Sequence, residues 1–379
     1  MEAKHILFFL AHQYGHINPS LGTAMELVRR GHSVTYTVCE SFAPLIRSIG
    51  ATPVVLDYIE NREQTIPNFF KENDHLSFHS DPQRIAALIE ATKRRTDFSV
   101  LQLERHYRDR MPDFIVRDDV LDHAAREFSS RYRIPNALLQ SQFIHRDLNG
   151  EFQGEEVLLT TVPKFFQKID DDATIPARYK FVGFTPEGRT LGFSRWTPRH
   201  GNKPRVLISP TTGLLKQIEF CRRMIEAFRD RSWEVILSIS GSRDAFSAID
   251  SSVFQDLPAN IHINQQSANF DILSNVDLYI GQGGQGGALE AIYRGVPQIV
   301  VPASAWHYPV GQRVEDLRLG VCIPFSELSP GRLLKLANQL IADSSVRETL
   351  MVAQRLMEMN RSAELAADVV EERMCVSKN

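Results

Sequence analysis

The stretch Gly281-Gln282-Gly283-Gly284-Gln285-Gly286-Gly287 decides the reading of this chain, because five of its seven residues have no side chain. Val276-Asp277-Leu278-Tyr279-Ile280 before it reads as a buried strand, and Ala288-Leu289-Glu290-Ala291-Ile292-Tyr293-Arg294 after it reads as a helix stopped by Gly295. Strand, glycine loop and helix together make an anion site. Backbone without Cβ atoms approaches a ligand closely, and the unpaired N–H groups of the first helical turn point at it with the positive end of the helix dipole. A phosphate or diphosphate is the guest such a loop suits. The competing explanation is a tight turn whose glycines serve only helix–strand packing, which accounts more readily for one or two glycines than for a run of them.

Outward from this loop the same alternation continues. Arg205-Val206-Leu207-Ile208-Ser209 reads as a strand, and Pro210-Thr211-Thr212-Gly213 leads from it into a helix, so the hydroxyls of Thr211 and Thr212 can reach the same anion. Strands are expected at residues 233–238, 261–264 and 298–301. Ala303-Ser304-Ala305-Trp306-His307-Tyr308-Pro309 forms a further strand-to-helix loop at the ligand edge. Helices follow at 310–318, 330–343 and 344–359, with a last amphipathic one from Ser362 to about Met374.

The N-terminal half has the same rhythm. His5-Ile6-Leu7-Phe8-Phe9-Leu10 reads as a central strand, a loop carries His12 and His16, Asn18-Pro19 starts a helix, and Gly31 closes it before a strand at 33–38. Ligands of open α/β sheets bind beyond the carboxyl ends of the strands, so His12 and His16 stand where chemistry is expected, although a loop histidine is as often an ordinary surface residue. Pro112-Asp113-Phe114-Ile115-Val116-Arg117-Asp118-Asp119 is a strand ending in two carboxylates. If Asp118 faces His16, it orients the imidazole and stabilises its protonated form, as a general base requires; the alternative is that Asp118 or Asp119 caps the next helix. Phe69, Phe70 and Phe78 lie in an aromatic-bearing polar stretch, where they either line an apolar pocket or anchor the loop; Arg117 and His12 would suit a polar ligand.

Length and composition agree with this layout. A chain of 379 residues exceeds the size of most single cores, and a net charge of −3 gives no general drive toward nucleic acid or an anionic membrane. Cys39, Cys221, Cys322 and Cys375 have no metal-site spacing, the N-terminus does not resemble a secretory signal, and the apolar runs fall short of the roughly 20 residues a bilayer needs. The expectation is a reduced, cytoplasmic protein, monomer or homodimer. The fold class is α/β: two doubly wound parallel-sheet (Rossmann-like) domains facing across a cleft. Residues 1–190 form an N-terminal domain and 204–359 a C-terminal one, joined by a Pro/Gly-rich linker; 360–379 is a C-terminal helix expected to pack back toward the N-terminal domain.

Gly281-x-Gly283-x-x-Gly286 formally satisfies the dinucleotide fingerprint, so an oxidoreductase is a rival. That motif needs an acidic residue at the end of the next strand to hold the ribose, and Val300-Val301-Pro302-Ala303-Ser304 has none.

Gly15-His16-Ile17-Asn18-Pro19-Ser20-Leu21, Arg30-Gly31-His32-Ser33-Val34-Thr35-Tyr36, and the stretch from Gly281 to Pro302 with its Glu290-Ala291-x-x-x-Gly295-Val296-Pro297 core resemble the GT-B-fold glycosyltransferases that use nucleotide sugars, within the UDP-glycosyltransferase superfamily. The resemblance is strongest to the bacterial macrolide and enediyne antibiotic branch and spans nearly the whole chain. It implies that His16 deprotonates the acceptor, that Asp118 pairs with it, that the glycine loop holds the diphosphate of a UDP- or TDP-sugar, and that Glu290 holds the ribose. Three positions depart from the family. Gln282 replaces a histidine that contacts the diphosphate, Gly287-Ala288 replaces a Ser-Thr pair, and Trp306-His307 replaces an acidic residue and a glutamine that contact the donor sugar. Trp306 could stack on the sugar, and His307 could supply the lost phosphate contact.

The expected function is inverting transfer of a sugar from a nucleoside-diphosphate sugar, as co-substrate, to a hydroxyl or amine of a natural-product-like small molecule, without a metal or other cofactor. The donor set is Thr211, Thr212, Gln282, Gly283, Gly284, Gln285, Gly286, Gly287, Glu290, Trp306 and His307. The acceptor set is His12, Phe69, Phe70 and Phe78. The alternatives are a nucleotide-sugar hydrolase, an unconventional transferase, or a GT-B-like auxiliary protein without donor affinity.

Overall fold

The structure, a computed structural model, describes residues 2–56, 96–118, 122–144, 157–168, 175–198, 201–210, 217–239, 254, 256–305 and 307–376. The chain divides into two compact units. One comprises residues 1–162, 169–191 and 361–379, and the other 163–168 and 192–360.

The first unit is built on β1 (His5–Phe9), whose five residues are all buried, as a continuous apolar strand covered on both faces must be. Around it lie α1 (Tyr14–Arg29), β2 (Ser33–Val38), α2 (Ala43–Ser48), β3 (Thr52–Val55), β4 (Phe114–Arg117), α3 (Asp122–Tyr132), β5 (Asn136–Gln140), β6 (Leu158–Thr160) and β7 (Tyr179–Phe181). The sheet is parallel throughout, in the order β3-β2-β1-β4-β5-β6-β7, so the direction of winding reverses between β1 and β4. Phe8 stacks on Tyr36 across β1 and β2 with ring centroids 4.6 Å apart, part of a core that runs from Ile6 to Val182 and takes in Ala366, Ala367 and Val370.

The second unit contains β8 (Arg205–Ser209), α4 (Gln217–Phe228), β9 (Glu234–Ser238), β10 (Ile261–Asn264), α5 (Asn269–Ile272), β11 (Leu278–Gly281), α6 (Gln285–Tyr293), β12 (Gln298–Val300), α7 (Tyr308–Asp316), β13 (Gly320–Cys322), α8 (Pro330–Ala342) and α9 (Ser344–Met359). Its parallel sheet runs β10-β9-β8-β11-β12-β13, with the winding reversing between β8 and β11.

The last helix, α10 (Ser362–Val376), packs on α1 within the first unit. Its carboxylates meet the basic end of α1. Arg30 reaches Glu371 at 2.6 Å and Asp368 at 2.7 Å while also holding Glu26, and His32 Nε2 stands 2.8 Å from Glu371. Hydrogen bonds from Arg29, reinforced by Arg30, pull the Glu26 carboxyl down to about 2.

Two boundaries that bear on the candidate site differ from the sequence reading. The first helix begins at Tyr14, not at Asn18-Pro19, so His16 stands in its first turn and Pro19 lies inside it. Proline deprives only the Gly15 carbonyl of its partner, and Gly15 is exposed, so water satisfies it. Likewise α6 begins at Gln285, so Gly286 and Gly287 belong to its first turn.

Candidate active site: two switch points

Each sheet places a site at the reversal of its winding, where the loops leaving two adjacent central strands diverge and leave room for a ligand. In the first unit these strands are β1 and β4, in register with Phe9 beside Arg117. The chain after β1 turns through Ala11 into α1, and the chain after β4 ends at Asp118. Asp118 Oδ2 accepts the Ala11 backbone N–H at 2.6 Å and lies 3.1 Å from His16 Nδ1. The Asp118 side chain is 3 % exposed and that of His16 16 %, so the carboxylate is sealed in while part of the imidazole reaches solvent. A carboxylate only accepts, so this contact requires the proton on Nδ1, which leaves Nε2 as the ring's lone-pair nitrogen. A carboxylate that orients an imidazole and offsets its charge is the arrangement of a general base.

His12 lies half-buried in the same turn. Arg117 is not available to an acceptor: its side chain is fully buried and its Nε donates to Asn136 Oδ1 at 2.9 Å. Phe69, Phe70, Phe78 and Asp119 lie outside the described residues.

In the second unit the adjacent strands are β8 and β11, in register with Ser209 beside Gly281. Gln282-Gly283-Gly284 joins β11 to α6, with Gly284 as the residue before the helix. The first intrahelical bond runs from the Ala288 N–H to the Gly284 carbonyl at 3.1 Å, so the N–H groups of Gln285, Gly286 and Gly287 have no partner within the helix. They are the donors an anion would meet. Gly283 has φ +85°, and a Cβ there would stand 2.7 Å from the His307 carbonyl oxygen, so glycine is required twice over. Gln282 is 1 % exposed, and its carbonyl accepts the Ala303 N–H at 3.2 Å, tying the turn to the segment after β12. Glu290 is buried one helical turn further along α6.

His307 precedes α7, with Nδ1 2.9 Å from Ser304 Oγ, and burial lowers its pKa below the ordinary histidine value. Thus the structure brings His307 beside Gly283 and leaves it neutral near pH 7. Thr211, Thr212 and Trp306 lie outside the described residues.

Three participants escape the sequence reading. The Ala11 amide on Asp118 leaves no sequence signal, since any residue supplies an N–H. Ser209 ends β8 and Tyr279 lies inside β11, two strands that read simply as apolar. Among the described residues no group of three or more His, Cys, Asp or Glu side chains converges as a metal site, and no helix is long and apolar enough to cross a membrane.

With this geometry in place, likeness to known proteins can be weighed. The chain is 27 % identical to the NDP-glycosyltransferase YjiC of Bacillus subtilis, over 98 % of this chain and 97 % of that protein. It is 25 % identical to the demethyllactenocin mycarosyltransferase of Streptomyces fradiae, over 97 % of this chain and 86 % of that protein. The calicheamicin glycosyltransferase CalG4 superposes with a TM-score of 0.77 at 26 % identity, covering 99 % of both chains. The class is therefore defined: this chain is a glycosyltransferase of the GT-B fold. More narrowly, it resembles the bacterial macrolide and enediyne antibiotic glycosyltransferases, and residues 233–375 match the C-terminal domain of proteins like erythromycin biosynthesis protein CIII. That assignment sets aside the oxidoreductase.

Proposed function

We propose that the protein is an inverting glycosyltransferase that moves a sugar from a nucleoside-diphosphate sugar, of the UDP or TDP type, to a hydroxyl or amine of a natural-product-like small molecule. The observation that carries this reading is the His16–Asp118 contact of 3.1 Å, with the Ala11 amide fixing the same carboxylate oxygen. Nε2 of His16 takes the proton of the acceptor as its oxygen or nitrogen attacks the anomeric carbon from the face opposite the leaving group, and the nucleoside diphosphate departs with inversion. Asp118 offsets the imidazolium charge so formed. Negative charge develops on the leaving diphosphate, where the amides of Gln285, Gly286 and Gly287 and the positive end of α6 stabilise it without reorganisation and without a metal ion. Glu290 holds the ribose hydroxyls. Likeness to a demethyllactenocin mycarosyltransferase and to a calicheamicin glycosyltransferase supports the choice of a natural-product substrate. The compartment proposed is the cytoplasm, where nucleotide sugars are available.

The replacements at Gln282, Gly287 and Ala288 keep one rival alive, a hydrolase or a transferase of an unconventional sugar. Incubation with a panel of nucleotide sugars, with and without acceptor alcohols and amines, separates the readings. Acceptor-dependent release of nucleoside diphosphate with a product of inverted anomeric configuration is the expected result. Acceptor-independent release of free sugar, or a retained configuration, overturns it.

A further inference from the structure

The loss of the Ser-Thr pair at 287–288 has a counterpart inside the fold. Tyr279 lies on β11 two residues before Gly281, so its side chain leaves the same face of the strand as that residue. The ring runs along the strand toward the loop. A Cβ built on Gly281 would lie 2.5 Å from the Tyr279 hydroxyl and 2.7 Å from Cζ. A Cβ built on Gly287 would collide with the same hydroxyl, whereas its next contact, Cζ, is 3.2 Å away. The phenol oxygen therefore occupies the space that a side chain at 287 would enter, at the first turn of α6.

This hydroxyl is not an idle core atom. It hydrogen-bonds the Ser209 side chain, Ser209 Oγ accepts the Asn269 Nδ2–H at 2.9 Å, and Glu290 is close enough to act on it electrostatically. Burial, with Glu290 in support, drives the phenol pKa far up, so the group stays protonated and remains a donor throughout the physiological range. Asn269, Ser209 and Tyr279 form a polar chain across the carboxyl ends of β8 and β11, ending where the amides of Gly286 and Gly287 open.

We propose that Tyr279 is a positioning residue for the donor: its phenol supplies, from the strand, the hydroxyl that Gly287 and Ala288 do not supply from the helix, and so holds the first turn of α6 and Glu290 in their binding arrangement. This inference rests on the donor reading given above. It makes Gly287 a consequence of Tyr279, because the hydroxyl fits on one residue or the other and not on both.

The test is a double-mutant cycle read by calorimetric titration with UDP and TDP, with thermal unfolding as a check on folding. Tyr279→Phe keeps the ring and removes the oxygen, and the expected result is about five- to tenfold weaker nucleotide binding, of the order of one lost hydrogen bond between neutral groups. Gly287→Ser alone, facing the phenol, weakens binding or unfolds the domain. Tyr279→Phe combined with Gly287→Ser moves the hydroxyl to the helix against a ring edge that must yield only a few tenths of an ångström, and binding returns to within about threefold of the unmodified protein. Gly281→Ser is the control, since Cζ blocks it even without the hydroxyl, and Tyr279→Phe does not rescue it. A merely structural tyrosine would give no rescue at 287. Unchanged binding in Tyr279→Phe, or effects that simply add in the double variant, overturn the inference. Failure of the unmodified protein to bind either nucleotide overturns the donor reading instead, and the inference falls with it.

Discussion

The two switch points share one topology and solve opposite electrostatic problems. At β1 and β4 the protein concentrates side-chain function in a buried carboxylate and an imidazole in contact, with one backbone amide locking the carboxylate. At β8 and β11 it removes side chains: three N–H groups of α6 have no partner within the helix, the turn before them is glycine, Gln282 is tucked inside, and the Tyr279 hydroxyl fills the space beside Gly287. The difference fits the role proposed for each site. A proton is moved by one basic atom held at one orientation, which a rigid pair provides. A polyanion is spread over several oxygens, and a fan of backbone dipoles meets it without burying a free cation beforehand. One site is specified by residue identity, the other mainly by residue absence.

The sharpest way to break that contrast is to remove the base. His16→Ala is expected to lower kcat by about 10²- to 10⁴-fold, the usual contribution of general base catalysis, while the dissociation constant for UDP or TDP stays unchanged. Asp118→Asn should cut kcat by about 10²-fold or more, because a neutral amide, its oxygen held in place by the Ala11 N–H, no longer offsets the imidazolium charge that forms as His16 takes the proton, again without touching nucleotide affinity. Turnover kinetics alongside calorimetry check both. A large loss of nucleotide binding in either variant would show that the two sites are not divided in this way. The reciprocal experiment is Gly283→Ala. Holding a non-glycine residue at φ +85° costs roughly 1–2 kcal/mol, and its Cβ also meets the His307 carbonyl, so nucleotide binding should weaken by at least about tenfold. Binding within twofold of the unmodified protein, roughly 0.4 kcal/mol, would remove the turn from the anion site.

The same contrast explains which parts could be read from sequence. Continuous apolar runs such as Ile6 to Phe9 and Val206 to Ile208 announce buried parallel strands, and the glycine run announces the second site. The three-residue strands β6, β7 and β13 are too short to hold any period, whereas β12, equally short, is marked out by the apolar run between Pro297 and Pro302. Both helix starts read late in the sequence, because Pro19 and the paired Gly286 and Gly287 look like boundary signals, although Pro19 lies in the second turn of α1 and the glycines in the first turn of α6. His16 and Asp118 could each be proposed from a place at a strand end, but their contact joins residues 102 positions apart and depends on a register that only the folded sheet supplies. Tyr279 is the clearest case. As a residue it reads as core; its meaning lies in two glycines, two and eight positions on, whose side chains it excludes.

The smallest predicted effect separates the two histidines, and it concerns His307. Facing it are the Ser304 hydroxyl and the Gly283 backbone, and burial alone depresses its pKa below the ordinary value of 6.5. In the unliganded protein the unfolded chain takes up the proton first, so the stability that neutral His307 contributes is present above about pH 6.5 and is lost as pH falls through the lower folded value. Nucleotide binding runs the other way. A diphosphate lodged against the turn raises the imidazole pKa, so between the free and bound values the complex holds more protons than the free protein, and affinity rises as pH falls through that interval. The nucleotide's own phosphate titrates in the same range, so the measurement is a ratio: the affinity of the unmodified protein relative to His307→Gln, followed from about pH 8 to about pH 6. That ratio should grow by about three- to tenfold, accompanied by proton uptake that depends on the ionisation enthalpy of the buffer. A ratio independent of pH would mean that His307 stays neutral when the nucleotide binds, and the second switch point would then hold its anion with backbone and hydroxyl dipoles alone.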